Sequence, residues 1–177
     1  MLNNCRTDAA LAIRATRRLP RSRSRGVQYG ALPYRLSKAR SIELLLITSR
    51  ETKRWIIPKG WPIKGLKPSD AAAREAYEEA GIRGIVSKKP IGTYLYEKAH
   101  RTPGRTTSCR VTVFPLLVRR QRREWPEYGQ RKTRWVSLQK AASLVAEKGL
   151  RALISEFQEG VRVDKLPKAV VIERPSG

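Results

Sequence analysis

The chain has 177 residues, enough for one domain with short extensions, and 40% of them are hydrophobic, enough for a globular core. Its net charge of +23 favours polyanionic partners such as nucleic acid, an anionic membrane or small polyphosphates. No stretch approaches the roughly 20 apolar residues that span a bilayer. The only two cysteines, Cys5 and Cys109, exclude a disulfide framework, so we predict a cytoplasmic location.

The N-terminal residues 1–28 carry an Arg-rich segment without a long apolar run after it. This composition predicts a basic, disordered extension rather than a secretory signal. An organellar transit peptide or attachment to a membrane surface stays open for the same segment. We expect the folded domain to cover residues 29–160, followed by a C-terminal tail over residues 161–177.

The first elements of the domain are three strands and a helix. Apolar runs bounded by charged or turn residues predict strands over 27–36, 41–49 and 55–57. A loop rich in Gly and Pro over 59–68 cannot be helical. The alanines and glutamates of 71–80 then predict a helix that Gly81 ends, with Lys67 or Ser69 as its N-cap.

The remaining elements complete a mixed architecture. Strands are predicted over 91–98, 108–119 and 133–137, and amphipathic helices over 138–147 and 150–158. Several antiparallel strands with few helices indicate an α+β fold with a central mixed β-sheet flanked by helices.

Three carboxylates cluster on the helix. At about 100° per residue, Glu75, Glu78 and Glu79 occupy an arc of about 100°. Like charges at this spacing repel, unless a divalent cation lies among them. Carboxylate oxygens suit Mg²⁺ or Mn²⁺. A solvated acidic face on a very basic protein is the alternative interpretation of the helix alone.

The residues around these carboxylates resemble the Nudix hydrolase signature, which reads Gly, five residues, Glu, seven residues, Arg-Glu-U-x-Glu-Glu-x-Gly-U, where U is bulky and aliphatic. The positions that match in register are Gly60, Arg74, Glu75, Glu78, Glu79, Gly81 and Ile82. The resemblance implies a Nudix-like α/β/α sandwich.

One position departs from the signature, because Leu66 stands where the family has its first Glu. In the family that Glu is commonly tied to the signature Arg or shares in metal organisation. Asp70 lies four residues before Arg74 on one helical face, so we expect it to pair with Arg74 in place of the missing partner.

The resemblance also implies a mechanism. Glu75, Glu78 and Glu79 would hold Mg²⁺ or Mn²⁺, with a further ligand from the backbone at Gly60, and one glutamate doubling as general base. Arg74 would orient a glutamate. The family sometimes takes its base from a later loop, and here such a loop carries Glu124 and Glu127, which are otherwise two surface carboxylates.

Within the family, residues 30–160 look closest to diphosphoinositol polyphosphate and diadenosine polyphosphate hydrolases. Ser49-Arg50 before Trp55, and the segment from Gly129 to Trp135, carry this likeness. By resemblance we assign phosphate binding to a set of cations: Arg35, Arg50, Lys59, Arg131 and Lys132. The single histidine, His100, is interpreted as a surface residue or a further phosphate contact.

We therefore predict an Mg²⁺-dependent hydrolase that cleaves a diphosphate linkage in a dinucleoside polyphosphate, nucleoside polyphosphate or inositol pyrophosphate. Two alternatives remain. A nucleic-acid-binding protein of the same fold is suggested by the charge and by Trp125 and Tyr128. An RNA 5′-end pyrophosphohydrolase would apply the same chemistry to a longer anion. The sequence does not indicate an oligomeric state.

Overall fold

The computed structural model describes residues 26–37, 39–99 and 106–160. The predicted C-terminal tail, His100 and residues 1–25 of the predicted basic extension lie outside the described residues. The first strand begins at Gly26, three residues before the predicted start of the domain.

Eight strands and three helices form in the described residues. The strands are β1 (Gly26–Leu36), β2 (Ile42–Thr48), β3 (Trp55–Ile56), β4 (Lys59–Gly60), β5 (Ile82–Val86), β6 (Gly92–Ala99), β7 (Thr106–Gln121) and β8 (Thr133–Ser137). The helices are α1 (Pro68–Ala80), α2 (Leu138–Leu144) and α3 (Lys148–Gly160). None of these helices is long and apolar enough to cross a membrane.

The centre of the sheet is the parallel pair β1 and β7, and the other pairings are antiparallel. The edge of β1 that faces away from β7 pairs with two strands. It pairs with β4 at Tyr29 and Gly30, and with β2 near the C-terminal end of β1. β7 pairs with β6 over its first half and with β5 over its second half. β4 therefore lies beside the N-terminal half of β1, whereas β2 lies beside its C-terminal end. The predicted mixed sheet is confirmed.

Two hydrophobic cores lie on opposite faces of this sheet. Leu44 and Leu46 belong to the core that packs under α2 and α3, whereas Leu45 and Ile47 belong to the core under α1. Alternate residues of a strand point to opposite faces, so a continuous apolar run serves both cores. Burying each such side chain contributes about 1.5–3 kcal/mol. The helices on both faces confirm the predicted α/β/α arrangement.

Helix α1 is positioned by its two ends and by one face. It begins with Pro68 at the first helical position, where the missing N–H costs nothing. Lys67 is the N-cap residue and makes no side-chain capping bond, and Ser69 is buried. The helix ends at Gly81, whose φ of 68° is in the left-handed region. Fully buried alanines along one face bring the helix close to the sheet.

The structure differs from the sequence-based prediction at three places. β5 was not predicted, because it is short, contains Arg83 and Gly84, and buries only Ile82. Two residues of the predicted 59–68 loop pair with β1 as β4. Helix α2 ends at Leu144, since Val145 turns to extended backbone and bridges to Trp55.

Candidate active site

Gly60 and Glu75 lie in direct contact. A Cβ atom on residue 60 would lie 2.0 Å from Glu75 Oε1, so the carboxylate occupies the space that any side chain there would fill. β4 supplies the glycine and the sheet-facing edge of α1 supplies the glutamate. Two predicted metal-site residues, distant in sequence, are thus brought together by the docking of α1 beside β4.

Glu79 is the most buried of the three glutamates, with 7% of its side chain exposed. Its Oε2 accepts the backbone N–H of Lys59 at 3.0 Å, and its Oε1 accepts the Arg131 guanidinium. Burial raises the pKa of Glu79 to about 7, against the opposing effects of Arg131 and the Lys59 N–H. Removal from water therefore outweighs the buried ion pair, and this carboxyl titrates near neutral pH.

Glu75 experiences several like charges. Burial raises the pKa of Glu75, and the neighbouring carboxylates Glu78 and Glu127 raise it further. The cations Arg131 and Lys59 act in the opposite direction. A pKa raised by carboxylates from two different elements indicates that α1 and the loop after β7 place their acidic groups close together.

Glu127 belongs to this cluster, and Glu124 does not. The Glu127 carboxylate accepts Arg131 Nε at 2.8 Å and lies 3.6 Å from Arg50 Nη1. Its backbone N–H donates to the Glu78 carbonyl at 3.0 Å, which fixes the loop against α1. Glu124 is exposed. Of the two later carboxylates, only Glu127 is therefore placed beside the signature glutamates.

Trp125 docks this loop onto the end of α1. A Cβ atom at position 81 would lie 2.6 Å from Trp125 Cε3, so glycine is required there both for its φ and for the indole ring. The Arg122 N–H donates to the Gly81 carbonyl at 2.9 Å. The half-buried Trp125 ring thus packs on Gly81, and a nucleic-acid contact through it stays a prediction. Tyr128 is exposed and contacts the indole edge to face.

The predicted pair between Asp70 and Arg74 is absent. Arg74 Nε instead bonds Glu78 Oε1 at 2.5 Å, one turn later on the helix. Asp70 bonds Lys88 Nζ at 2.5 Å, because the segment after β5 passes beside the first turn of α1. Leu66 is exposed, and the side chain that bonds Arg74 is that of Glu78. The signature arginine thus contacts a signature glutamate without the missing Glu.

Two of the predicted phosphate-binding cations, Arg131 and Arg35, bond to other groups of the protein. The Arg131 side chain is 5% exposed and bonds both Glu79 and Glu127, and its Nη1 donates to the Thr48 carbonyl at 3.1 Å. Three separate acceptors already hold the guanidinium, so we expect Arg131 to position carboxylates rather than to bind phosphate. It keeps two carboxylates from different elements together.

Arg35 is the second of these cations. It bonds Glu43 at 2.8 Å and lies 4.0 Å from the Trp135 ring centroid. In β1 it stands five residues beyond Gly30, the partner of Lys59, which is roughly 16 Å along the strand. An ion pair and a stacked ring hold it away from the carboxylates.

The other three predicted cations border the cluster. The Arg50 side chain, in the loop between β2 and β3, is 60% exposed, and Lys132 is exposed in the loop between β7 and β8, next to Arg131. Lys59 donates from Nζ to Tyr96 Oη at 3.2 Å, which in turn donates to Gln28 Oε1 at 2.7 Å. Burial lowers the pKa of Lys59, while Glu79 and Glu147 act to raise it.

No group of three acidic, His or Cys side chains converges as a ready-made metal cage within the part of the chain that the structure describes. The reason is visible in the contacts, since Arg74 holds Glu78 and Arg131 holds Glu79. The residues nevertheless fit a hard divalent cation. Their donors are all oxygens, and the contact between Gly60 and Glu75 brings a carboxylate to a backbone that has no side chain to obstruct it.

Two residues near Lys59 were missed at the sequence level. Glu147 lies after α2 and Tyr94 lies on β6, and each has a buried polar atom with no hydrogen-bond partner among the described residues. A single glutamate just before the start of α3 forms no motif, so no local signal in the sequence could identify it.

Comparison with known proteins places the geometry in context. A model of the NUDIX domain matches residues 27–157. Nudix hydrolase 21, chloroplastic, from Arabidopsis thaliana is 34% identical over 154 residues, covering 84% of this chain and 75% of the relative. Diphosphoinositol polyphosphate phosphohydrolase 3-alpha from Mus musculus is 32% identical over 106 residues, or 58% of each chain. The solved structure of a C. elegans Ap4A hydrolase binary complex shares the fold with a TM-score of 0.56 at 22% identity, covering 76% of this chain and 96% of the other.

Proposed function

We propose a reaction and a site for this chain, which belongs to the Nudix hydrolase family and is a pyrophosphohydrolase acting on phosphoanhydride bonds. It cleaves a diphosphate linkage with Mg²⁺ or Mn²⁺. The site is the cluster of Glu75, Glu78, Glu79 and Glu127. The observation that carries the proposal is the contact of the Glu75 carboxylate with Gly60. Substrates of this class are nucleoside polyphosphates, dinucleoside polyphosphates and inositol pyrophosphates.

In this proposal the signature residues hold the metal. Glu75, Glu78 and Glu79 would be its carboxylate ligands, together with the backbone at Gly60. Arg74 bonds Glu78 and orients it. When bound, the divalent ion neutralises charge on the phosphates and lowers the pKa of a water molecule.

The cations have separate roles. Arg131 holds Glu79 and Glu127 in place. Arg50, Lys132 and Lys59 border the cluster and would bind the phosphates. The net charge of +23 attracts a polyanion over longer distances.

A substrate panel tests the proposal. Purified protein is incubated with Mg²⁺ or Mn²⁺ and with nucleoside polyphosphates, dinucleoside polyphosphates or inositol pyrophosphates. Phosphate-containing products are expected for at least one class, and Glu75→Gln, Glu78→Gln and Glu79→Gln should each lower kcat on the order of 100-fold or more. The matched control is Glu124→Gln, an exposed carboxylate of the same loop as Glu127. Full activity in all three signature variants would refute the assignment.

A second candidate is pyrophosphate removal from an RNA 5′ end. It is supported by three exposed arginines that lead into the loop carrying Glu127, namely Arg120, Arg122 and Arg123. RNA binding with steep salt dependence is expected if this candidate is right. Binding that persists in EDTA without hydrolysis of any diphosphate would favour a nucleic-acid-binding role without turnover.

The cytoplasmic location stays a prediction. Cys109 is a free, buried cysteine in the structure, and Cys5 lies outside the described residues. The Arabidopsis relative is named as chloroplastic. Fractionation of cells that express the tagged full chain would locate it.

A further inference from the structure

Two buried polar groups lie near Lys59 and take no part in the carboxylate cluster. Glu147 has 8% of its side chain exposed, and Tyr94 is 3% exposed. Glu147 Oε2 and the Tyr94 hydroxyl have no hydrogen-bond partner among the described residues. Buried polar atoms are nearly always paired, so two unpaired atoms in one region point to a ligand that pairs them.

The two groups share one location. A Cβ atom on Gly149 would lie 2.8 Å from Tyr94 Cβ, so the start of α3, directly after Glu147, packs against β6. Burial raises the pKa of Tyr94, and the charge of Glu147 raises it further, which keeps the hydroxyl protonated. Tyr96, two residues along β6, points to the same face and bonds Lys59 Nζ at 3.2 Å.

Lys59 connects this location with the carboxylate cluster. Its backbone N–H donates to Glu79 at 3.0 Å, and its ammonium is influenced by the charges of both Glu79 and Glu147. The carboxylate cluster and the location of Glu147 and Tyr94 therefore adjoin at Lys59.

The hydrogen-bonding chemistry of Glu147 and Tyr94 determines which chemical group of a ligand can bind to them. A carboxylate oxygen only accepts hydrogen bonds, and a tyrosine hydroxyl both donates and accepts. Glu147 Oε1 lies 3.4 Å from Arg54 Nη1, which leaves Oε2 for another donor. A phosphate group next to this carboxylate would be repelled. The matching group is uncharged and carries O–H or N–H donors.

We propose that Glu147 and Tyr94 form a subsite for an uncharged, hydrogen-bond-donating part of the substrate, which makes a nucleoside polyphosphate rather than an inositol pyrophosphate the substrate class. A ribose hydroxyl or a base amino group has the required donors, whereas the ring of an inositol pyrophosphate carries phosphates on every side. The proposal rests on the proposed function only in placing the phosphates at the carboxylate cluster.

Calorimetric binding in EDTA tests this subsite without turnover. The probes are ADP, GDP, CDP and UDP, with inorganic tripolyphosphate and inositol hexakisphosphate as ligands that have no nucleoside. Glu147→Gln and Tyr94→Phe should each weaken binding of at least one nucleoside diphosphate about tenfold, or about 1.4 kcal/mol. Tripolyphosphate should bind the variants equally well or, for Glu147→Gln, more tightly.

Matched controls are Glu124→Gln and Tyr128→Phe, both on exposed side chains, which should leave every affinity unchanged. Equal losses for all ligands, or no loss for any nucleoside diphosphate, would overturn the subsite. Because hydrolysis is not measured, an inactive protein that shows the expected binding pattern would refute the proposed function and not the subsite.

Thermal unfolding gives a second readout in case a variant folds poorly. Since the Tyr94 hydroxyl has no partner, Tyr94→Phe should keep or raise the Tm of the ligand-free protein. A markedly lower Tm would mean that the hydroxyl stabilises the fold itself, and the subsite would lose one of its two groups.

Discussion

Glu79 shows how strongly the fold changes the chemistry of one side chain. A surface glutamate at this position would stay ionised above its ordinary pKa of 4.5, but burial raises the pKa of Glu79 to about 7. The same helix presents Glu78 with 32% of its side chain exposed, one residue away. The difference in exposure between Glu78 and Glu79 comes from the helix face, since Glu79 points to β4 and to the loop that carries Arg131.

The metal-free protein should lose stability as pH rises because of Glu79. The folded-state pKa is above the unfolded value, so the stabilisation is complete below pH 4.5 and is lost as pH passes about 7. The rise in the pKa of Glu79 from 4.5 to about 7 corresponds to about 3 kcal/mol in the free energy of unfolding. Urea unfolding of the wild type and Glu79→Gln in EDTA between pH 4.5 and pH 8 measures the difference between them. A difference that does not change with pH would contradict the raised pKa.

Gly60→Ala tests the contact with Glu75. The added Cβ would lie 2.0 Å from Glu75 Oε1, so either β4 or the carboxylate must move. We expect a loss of stability of about 1–3 kcal/mol and the loss of most activity. The double variant Gly60→Ala, Glu75→Ala is the control, since removing the carboxylate should restore stability but not activity. Additive losses of stability would show that the two residues do not touch.

At the scale of elements, the site depends on how the loop after β7 docks on α1. Three bonds and one ring hold the end of β7 and this loop against the helix end: Arg122 N–H to Gly81, Glu127 N–H to Glu78, Gln121 Nε2 to Ala80, and the Trp125 ring on Gly81. The loop thereby carries Glu127 and Arg131 to the signature glutamates. Without the docked loop, the glutamates of α1 would lack these two partners.

Trp125→Ala should undock the loop. The variant removes the ring that covers Gly81, and we expect a loss of about 2 kcal/mol in stability together with reduced kcat, because Glu127 and Arg131 lose their positions. Trp125→Phe is the matched control: the indole N–H has no partner among the described residues, so phenylalanine keeps a ring there without breaking a bond. Normal kcat in a folded Trp125→Ala protein would show that the loop does not organise the site.

At the scale of the whole molecule, net charge determines how substrate is collected. A chain with 38 Lys and Arg against 15 Asp and Glu attracts polyanions from every direction, and salt screens this attraction. Raising NaCl from about 50 to 500 mM should lower kcat/KM about tenfold through KM, with kcat little changed. Steady-state kinetics measures both constants. A fall in kcat at constant KM would locate the salt effect in the chemical step instead.

The sequence predicted the features that repeat along a local period or a fixed spacing. The run from Ile42 to Thr48 was identifiable as a buried strand, and the spacing of Glu75, Glu78 and Glu79 identified one helix face. The wrong partner for Arg74 came from the same local logic, because Asp70 and Glu78 are both four residues away and only Lys88, from a distant segment, decides between them.

The sequence by itself determined the mixed-sheet architecture and the signature helix with its end at Gly81, since these follow from periodicity and backbone geometry within a few residues. Only the tertiary structure decided that Arg131 joins Glu79 to Glu127, that Arg35 lies apart, and that Glu147 and Tyr94 come close together near Lys59. The physical reason is that burial and charge act through space, so residues far apart in the chain set each other's ionisation once the sheet places them side by side.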